Sequence, residues 1–183
     1  MIRGNCIRIG GSNGENAFIQ RTLTSVDNNT VTGIGNFAFA NCNTLIKVSF
    51  SSATVLEDGA FYKCHELNSV AIPNVQTINQ RAFYGDSKLT ELVLPSATKI
   101  YGYSTFYGCS RLTALYLSGN TVCELVGYDT NTFEGSPIGG DISVSGESGY
   151  IYVPSALYND YISSSQWTAL ASKIVAYDFG GQK

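Results

Sequence analysis

The sequence has few charged side chains, since Asp, Glu, Lys and Arg make up 14% of its 183 residues, against about 25% in typical globular proteins. A disordered chain needs high charge and few aromatic rings, whereas this chain contains 12 Tyr, 9 Phe and 1 Trp. The net charge is -3, so the excess of Lys and Arg that binds a phosphate backbone is missing. The composition predicts a folded chain and argues against nucleic acid as a partner.

Long apolar runs are also missing. No segment approaches the roughly 20 apolar residues that cross a bilayer, so we expect no membrane insertion. Residues 1–14 lack the charged region and apolar stretch of a signal peptide. The sequence therefore leaves two readings open, an intracellular chain or a fragment of a longer one.

Catalytic and metal-ligating residues are scarce, because His65 is the one histidine. Residues 10–14 match the G-x-S-x-G motif of hydrolases, but that motif needs a following helix and a histidine base. No helical pattern follows Gly14, so a glycine-rich turn is the preferred interpretation. Five cysteines cannot all pair within the chain and do not form CxxC pairs. We predict no catalytic residues, no metal site and no cofactor.

A repeat of about 22 residues dominates the sequence. Apolar residues recur at 22-residue spacing at Ile34, Leu56, Ile78 and Ile100. Phenylalanine follows each, with an insertion at 101–105 delaying the last, at Phe39, Phe61, Phe83 and Phe106. Leucine then begins an alternating strand pattern at Leu45, Leu67, Leu89 and Leu112. A unit this short cannot enclose a core, so the copies must stack into a solenoid.

The run I-G-x-x-A-F-x-x-C-x-x-L-x-x-V resembles the BspA-type, or Treponema-type, leucine-rich repeat over residues 34–117. Residues 149–174 resemble the ending of many such bacterial proteins, whereas residues 1–18 fall outside the resemblance. The implied fold is a leucine-rich-repeat solenoid with a parallel β-sheet on one side, short turns or 3-10 segments on the other, and a small C-terminal helical cap.

We expect a single repeat domain over residues 1–183, in three parts. Residues 1–33 form an irregular N-terminal segment with a first strand, residues 34–153 form about five coils of which the last is enlarged, and residues 154–183 form the cap. In the last coil Phe133 takes the phenylalanine position and Ser136 the cysteine position, while residues 139–149 form a surface loop or hairpin.

The cap is predicted to contain two helices. Ser155 is the expected N-cap of a helix ending near Ser163, and residues 166–173 suit a second helix. Four apolar side chains are expected to close the open end of the solenoid: Leu157, Tyr161, Trp167 and Leu170.

One template position is occupied by Cys42, Cys64, Asp86 and Cys109. We interpret the three cysteines as buried thiols rather than a redox or metal ladder, because cysteine suits a tight apolar turn and Asp86 interrupts the series. The sequence does not decide whether a disulfide joins Cys109 to Cys123. The Asp86 carboxylate is expected to accept the backbone N–H groups of Lys88 and Leu89.

The resemblance implies binding rather than catalysis. The leading hypothesis is a non-enzymatic protein–protein recognition or adhesion module of a bacterial surface or secreted protein, located at the cell surface or outside the cell. Its partner would be another protein, for example a host extracellular protein. The alternatives are an architectural spacer with no ligand of its own and a carbohydrate-binding module with a glycan ligand.

The candidate ligand-binding face consists of outward strand positions between the buried ones: Lys47, Ser49, Ser69, Ala71, Glu91, Val93, Ala114 and Tyr116. Tyr116 is the preferred anchor, since tyrosine is enriched among residues that dominate binding energy. A second aromatic row follows the repeat phenylalanines at Tyr62, Tyr84 and Tyr107. For this row, half-buried packing rings are preferred over a binding stripe.

Overall fold

Short strands recur along the whole repeat region of the computed structural model, which describes residues 8–9 and 22–180. In chain order they are β1 (Arg8–Ile9), β2 (Ser25–Asp27), β3 (Gly33–Ile34), β4 (Lys47–Ser49), β5 (Val55–Leu56), β6 (Ser69–Ala71), β7 (Thr77–Ile78), β8 (Glu91–Val93), β9 (Lys99–Tyr101), β10 (Ala114–Tyr116), β11 (Glu124–Val126), β12 (Tyr150–Pro154) and β13 (Ile174–Tyr177). Each coil contributes two of these strands, so the described chain builds more than one sheet.

The strands pair in parallel with their counterparts in the neighbouring coils. The predicted sheet side consists of a three-stranded sheet in the order β2-β4-β6 and a four-stranded sheet in the order β13-β12-β10-β8. The predicted turn side carries a further, narrow sheet in the order β1-β3-β5-β7-β9-β11. In that sheet the 22-residue period appears directly, because Ile34 pairs with Leu56, Leu56 with Ile78, and Ile78 with Ile100. The parallel repeat solenoid is confirmed.

A column of phenylalanine rings forms the centre of the core. Successive ring centroids are 5.5, 5.6, 5.9 and 5.0 Å apart, and successive ring planes lie within 20° of parallel, along Phe39, Phe61, Phe83, Phe106 and Phe133. All five rings are buried. The insertion at 101–105 therefore leaves Phe106 in the column, and Phe133 takes the phenylalanine position of the last coil as predicted.

Left-handed backbone conformations flank these rings. Positive φ occurs two residues before the ring at Phe37, Gly59, Arg81 and Ser104, and two residues after it at Asn41, Lys63, Gly85, Gly108 and Gly135. Glycine adopts this conformation without steric cost, whereas other L-residues are strained in it. Because both kinds of residue occupy the same template positions, the stacked coils impose the turn.

The C-terminal end differs from the predicted pair of helices. It contains a 3-10 segment (Ser155–Leu157), the helix α1 (Tyr158–Ser163) and a second 3-10 segment (Thr168–Lys173), which leads into β13. The N-cap prediction for Ser155 is wrong, because Ser155 already lies inside the 3-10 segment and Pro154, which has no side-chain donor or acceptor, precedes it. Helical structure near the C-terminus is confirmed, but β13 was not predicted.

The cap covers the apolar end of the solenoid. Tyr161, Trp167 and Leu170 are buried, and Leu157 packs partly buried against the same core. The Cys123 backbone N–H donates to the Tyr161 hydroxyl oxygen at 2.9 Å, and the Trp167 indole N–H donates to the Cys123 carbonyl at 2.7 Å. The two rings therefore satisfy the backbone of the last coil as well as filling its apolar end.

Two polar segments behave as turns. Residues 139–149 contain no strand, so this stretch is a loop and not a hairpin. Near the beginning, the Asn28 side-chain oxygen accepts the backbone N–H groups of Thr30 and Val31, each at 2.9 Å. Within the described ranges, no helix is long and apolar enough to cross a bilayer.

Candidate binding surface

The predicted face is divided between two sheets. Lys47, Ser49, Ser69 and Ala71 lie on the three-stranded sheet, where Lys47 is level with Ser69 and Ser49 with Ala71. The other four positions lie on β8 and β10 of the four-stranded sheet, with Glu91 level with Ala114 and Val93 level with Tyr116. The structure thus places the eight residues in short cross-strand rows rather than in one compact site.

The exposure of these residues varies. Lys47, Ala71, Glu91 and Val93 are exposed, whereas Ser49, Ser69 and Tyr116 are half-buried. Ala114 is buried, at 9% exposure, so the expectation that it is available on the surface is wrong. Its methyl group lies level with the longer side chains of Glu91 and Tyr150 on the adjacent strands, which leaves it little contact with solvent.

Four aromatic rings gather at the C-terminal end of the four-stranded sheet, and we call them the aromatic corner: Tyr116, Tyr152, Tyr177 and Phe179. Tyr116 stacks on Tyr152 with ring centroids 4.8 Å apart. Tyr177 meets Tyr116 at 5.8 Å and 65°, and Phe179 meets Tyr116 at 6.3 Å and 78°. The residue proposed as the anchor is therefore part of a larger aromatic surface.

The sequence interpretation missed three of these rings. Tyr152 alternates with the buried Ile151 and Val153, so extending the outward positions to the last strand would have found it. The sequence pattern indicates Tyr177 and Phe179 less clearly. Residues 174–177 lie outside the repeat and are a strand because they pair with β12.

Two cavities border the aromatic corner. One of about 380 Å³ is lined by Val93, Tyr116 and residues 177–180. The other, of about 630 Å³, is lined by the same segment together with residues 118–120 and 154–157. Since both share residues 177–180, this end of the sheet presents concave surface on two sides of one chain segment.

The electrostatics of the corner are negative. Glu91 and Asp178 are exposed, and neither forms an ion pair with a residue of the described chain. The Asp178 carboxylate accepts the Gly180 backbone N–H at 3.0 Å. Burial raises the pKa of Tyr116, and the neighbouring Tyr152, Glu91 and Tyr177 raise it further, so this phenol stays neutral. The corner therefore combines aromatic rings with two acidic side chains.

The second aromatic row packs as predicted. Tyr62, Tyr84 and Tyr107 are half-buried and stack with centroids 4.7 and 4.8 Å apart. The Lys63 ammonium lies 5.2 Å from the Tyr62 centroid. Tyr84 is stacked on both faces, and Tyr62 and Tyr107 are each stacked on one, so the interpretation as half-buried packing rings is confirmed.

The cysteine position is a column of buried thiols. Cys42, Cys64 and Cys109 are buried at this position, and Cys123 is buried as well. Cys109 and Cys123 are free thiols, so no disulfide joins them. The Cys64 thiol donates to the Phe39 carbonyl and the Cys109 thiol to the Phe83 carbonyl, both at 3.0 Å. Burial raises the pKa of Cys64 and Cys109, and the Asp86 carboxyl raises both further. These thiols are protonated and unreactive at neutral pH. Cys6 lies outside the described residues.

Asp86 occupies the same column, but its predicted local bond is wrong. Its Oδ1 accepts the backbone N–H of Cys64 in the preceding coil at 2.8 Å, instead of the N–H groups of Lys88 and Leu89. The Leu89 N–H donates to the Asp86 backbone carbonyl. The stacked geometry directs this side chain across coils, as it does the cysteines.

The one histidine of the sequence is a surface residue. His65 is exposed, and its Nδ1 lies 3.0 Å from the Gly85 carbonyl. The G-x-S-x-G motif at residues 10–14 lies outside the described residues. In the part of the chain that the structure describes, no three His, Cys, Asp or Glu side chains are grouped as metal ligands.

Comparison with known proteins identifies the family. The sequence model of the BspA-type leucine-rich repeat region matches residues 12–138 in six copies. The chain therefore belongs to the BspA-type leucine-rich repeat family, whose repeats are protein-interaction modules. The match begins at residue 12, so the expectation that residues 12–18 fall outside the family is wrong.

Two solved structures share the fold. The T. pallidum leucine-rich repeat protein aligns with a TM-score of 0.59 at 22% identity, covering 73% of this chain and 60% of that one. The pneumococcal vaccine antigen PcpA aligns with a TM-score of 0.50 at 17% identity, covering 85% of this chain and 42% of that one. This chain thus spans only part of the length of either protein. No curated protein matches the sequence.

Proposed function

We propose that the chain is a non-enzymatic recognition domain of a bacterial surface or secreted protein, which binds another protein through the outward side of its three- and four-stranded sheets. Adhesion to a host extracellular protein is the specific form of recognition that we favour. Family membership supports the class of function, and the likeness to a pneumococcal vaccine antigen supports a surface or secreted location.

The aromatic corner carries this proposal. Val93 is 45% exposed and Tyr177 is 43% exposed, and they lie beside Tyr116 at the mouth of the smaller cavity. Exposed apolar patches beside a concave surface are typical of protein-binding sites, and tyrosines concentrate binding energy at such sites. The remaining outward positions, on β4 and β6, provide a small polar surface that extends the contact.

The test is a binding screen of the full chain against an array of extracellular proteins and a glycan panel. Any protein that binds is then measured with the double variant Val93→Asp and Tyr116→Asp. We expect this variant to weaken binding at least about tenfold, because it buries two new charges at the centre of the contact. A matched control, Ile142→Asp with Val144→Asp, makes the same charge change at two exposed positions of the 139–149 loop.

Three results would contradict the proposal. Equal binding by the face variant and the loop variant would exclude this surface. A chain that binds glycans but no protein would favour the carbohydrate module. A chain that binds neither class would favour the architectural spacer.

A further inference from the structure

We propose that the aromatic corner receives a Lys or Arg side chain from a basic, extended segment of the partner protein. This inference rests on the proposed function and adds the chemistry of the partner. It follows from the ring geometry, from the charge of the corner and from the shape of the two cavities.

Three aromatic rings line the smaller cavity in different orientations. Tyr116, Tyr177 and Phe179 meet one another at 65°, 78° and 66°. Rings that meet so steeply cannot cover one another's faces by stacking. The face of an aromatic ring attracts an ammonium or guanidinium group within about 6 Å of its centroid. These three rings line the cavity, so a cation entering it lies beside more than one aromatic ring.

The charge of the corner selects a cation. Asp178 lines both cavities, and Glu91 lies close enough to Tyr116 to raise the pKa of its phenol. Among residues 8–9 and 22–180, no Lys or Arg lines either cavity, and none forms an ion pair with either carboxylate. A partner's cation would supply the missing countercharge, and a neutral glycan would not.

The two cavities together favour a chain segment over a single small ion. They meet at residues 177–180, and the larger continues to Asn120 and Ser155. An extended segment can place its cation beside the rings while its backbone and neighbouring side chains reach these polar groups. The net charge of -3 adds a weak attraction for a basic partner.

The probe is a fluorescein-labelled peptide in which Gly and Arg alternate, measured by fluorescence polarisation with the full chain. Matched peptides carry Lys, or carry citrulline, which keeps the shape of arginine without its charge. We expect the Arg and Lys peptides to bind and the citrulline peptide to bind about tenfold more weakly. Added salt should weaken the binding of the Arg and Lys peptides.

The variants locate the binding. Two variants should each weaken binding of the Arg peptide about tenfold. One is Tyr116→Ala, and the other is the conservative double variant Glu91→Gln with Asp178→Asn. Both carboxylates are exposed, so the double variant should keep the wild-type melting curve. Glu147→Gln, an exposed acid on the loop, is the control and should bind as wild type does.

Equal binding of the Arg and citrulline peptides, or full binding by the double variant, would overturn the inference. A protein found in the screen that loses affinity for the Val93→Asp, Tyr116→Asp variant, but is not displaced by the Arg peptide, would overturn it while leaving the proposed function in place. Glycan binding lost on Tyr116→Ala would assign the corner to the other ligand class.

Discussion

Asp86 reaches across coils to Cys64. Its Oδ1 lies 2.8 Å from the Cys64 backbone nitrogen, in a column that also contains the thiols of Cys42, Cys64 and Cys109. Its Oδ2 is buried and has no hydrogen-bond partner in the described part of the chain. Burial raises the pKa of this carboxyl well above its usual range, and the Cys64 N–H offsets only part of that effect. Asp86 therefore keeps its proton to higher pH than most aspartates do.

This arrangement predicts that folding becomes less favourable as pH rises. The pKa of Asp86 is higher in the folded than in the unfolded chain, so its contribution to stability is complete below the unfolded pKa of about 3.9 and is lost as pH rises toward the folded pKa. Within that interval the loss approaches about 1.4 kcal/mol per pH unit. The variant Asp86→Asn keeps the shape of the side chain but has no titrating carboxyl. Its free energy of unfolding, relative to that of wild type, should therefore increase as pH rises.

Urea denaturation of both chains at several pH values between 4.5 and 8 measures this difference. Asp160→Asn, at an exposed position of α1, serves as the control and should follow wild type throughout. A constant difference between Asp86→Asn and wild type over this range would mean that the Asp86 carboxyl is ionised in the folded chain.

Phe83 should contribute strongly to stability. Its ring is fully buried between Phe61 and Phe106, with centroids 5.6 and 5.9 Å away. Phe83→Ala should lower the free energy of unfolding by about 3–5 kcal/mol, because the rigid coils above and below cannot close the cavity. Tyr84→Ala, at the adjacent half-buried ring, should cost clearly less when both are measured by denaturant unfolding. Equal losses would show that the column does not dominate the core.

The repeat could be predicted from sequence because each coil buries the same positions. A 22-residue spacing of Ile, Phe and Leu is sufficient to predict stacking and the strands on the main side. The narrow second sheet was less visible, since strands such as Val55–Leu56 and Thr77–Ile78 are too short to show alternation. Their pairing depends on the register between coils.

The candidate site was only partly predictable for a similar reason. Tyr116 follows from alternation along one strand. The partners Tyr177 and Phe179 join it only because β13 pairs with β12, which is a contact between segments of unlike pattern. The Asp86 bond was assigned to its own turn because sequence-local bonds are the ones that spacing reveals.

Substitutions at two positions with left-handed backbone, Gly85 and Ser104, should have different effects on stability. Gly85 has φ of +75°, and an added Cβ would lie 3.2 Å from Cγ of Lys63. Gly85→Ala should therefore destabilise the chain by about 1–2 kcal/mol. Ser104 has φ of 52° at the other template position, so Ser104→Gly relieves strain and should be neutral or slightly stabilising. Thermal unfolding of both variants gives the comparison, and a lower melting temperature for both would indicate that φ is not the governing factor.

The cap should depend on the Tyr161 hydroxyl as well as on its ring. The Cys123 N–H donates to this oxygen in a buried setting, where burial raises the pKa of Tyr161 to about 12 and keeps the phenol neutral. Tyr161→Phe keeps the ring but leaves the Cys123 N–H without its acceptor, which should cost about 1–3 kcal/mol. Tyr158→Phe, in the same helix and half-buried, should cost less, because its hydroxyl makes no hydrogen bond within residues 22–180. Urea unfolding distinguishes the two variants, and hydrogen exchange at the Cys123 amide should accelerate only in Tyr161→Phe. An unchanged exchange rate there would show that another acceptor replaces the hydroxyl.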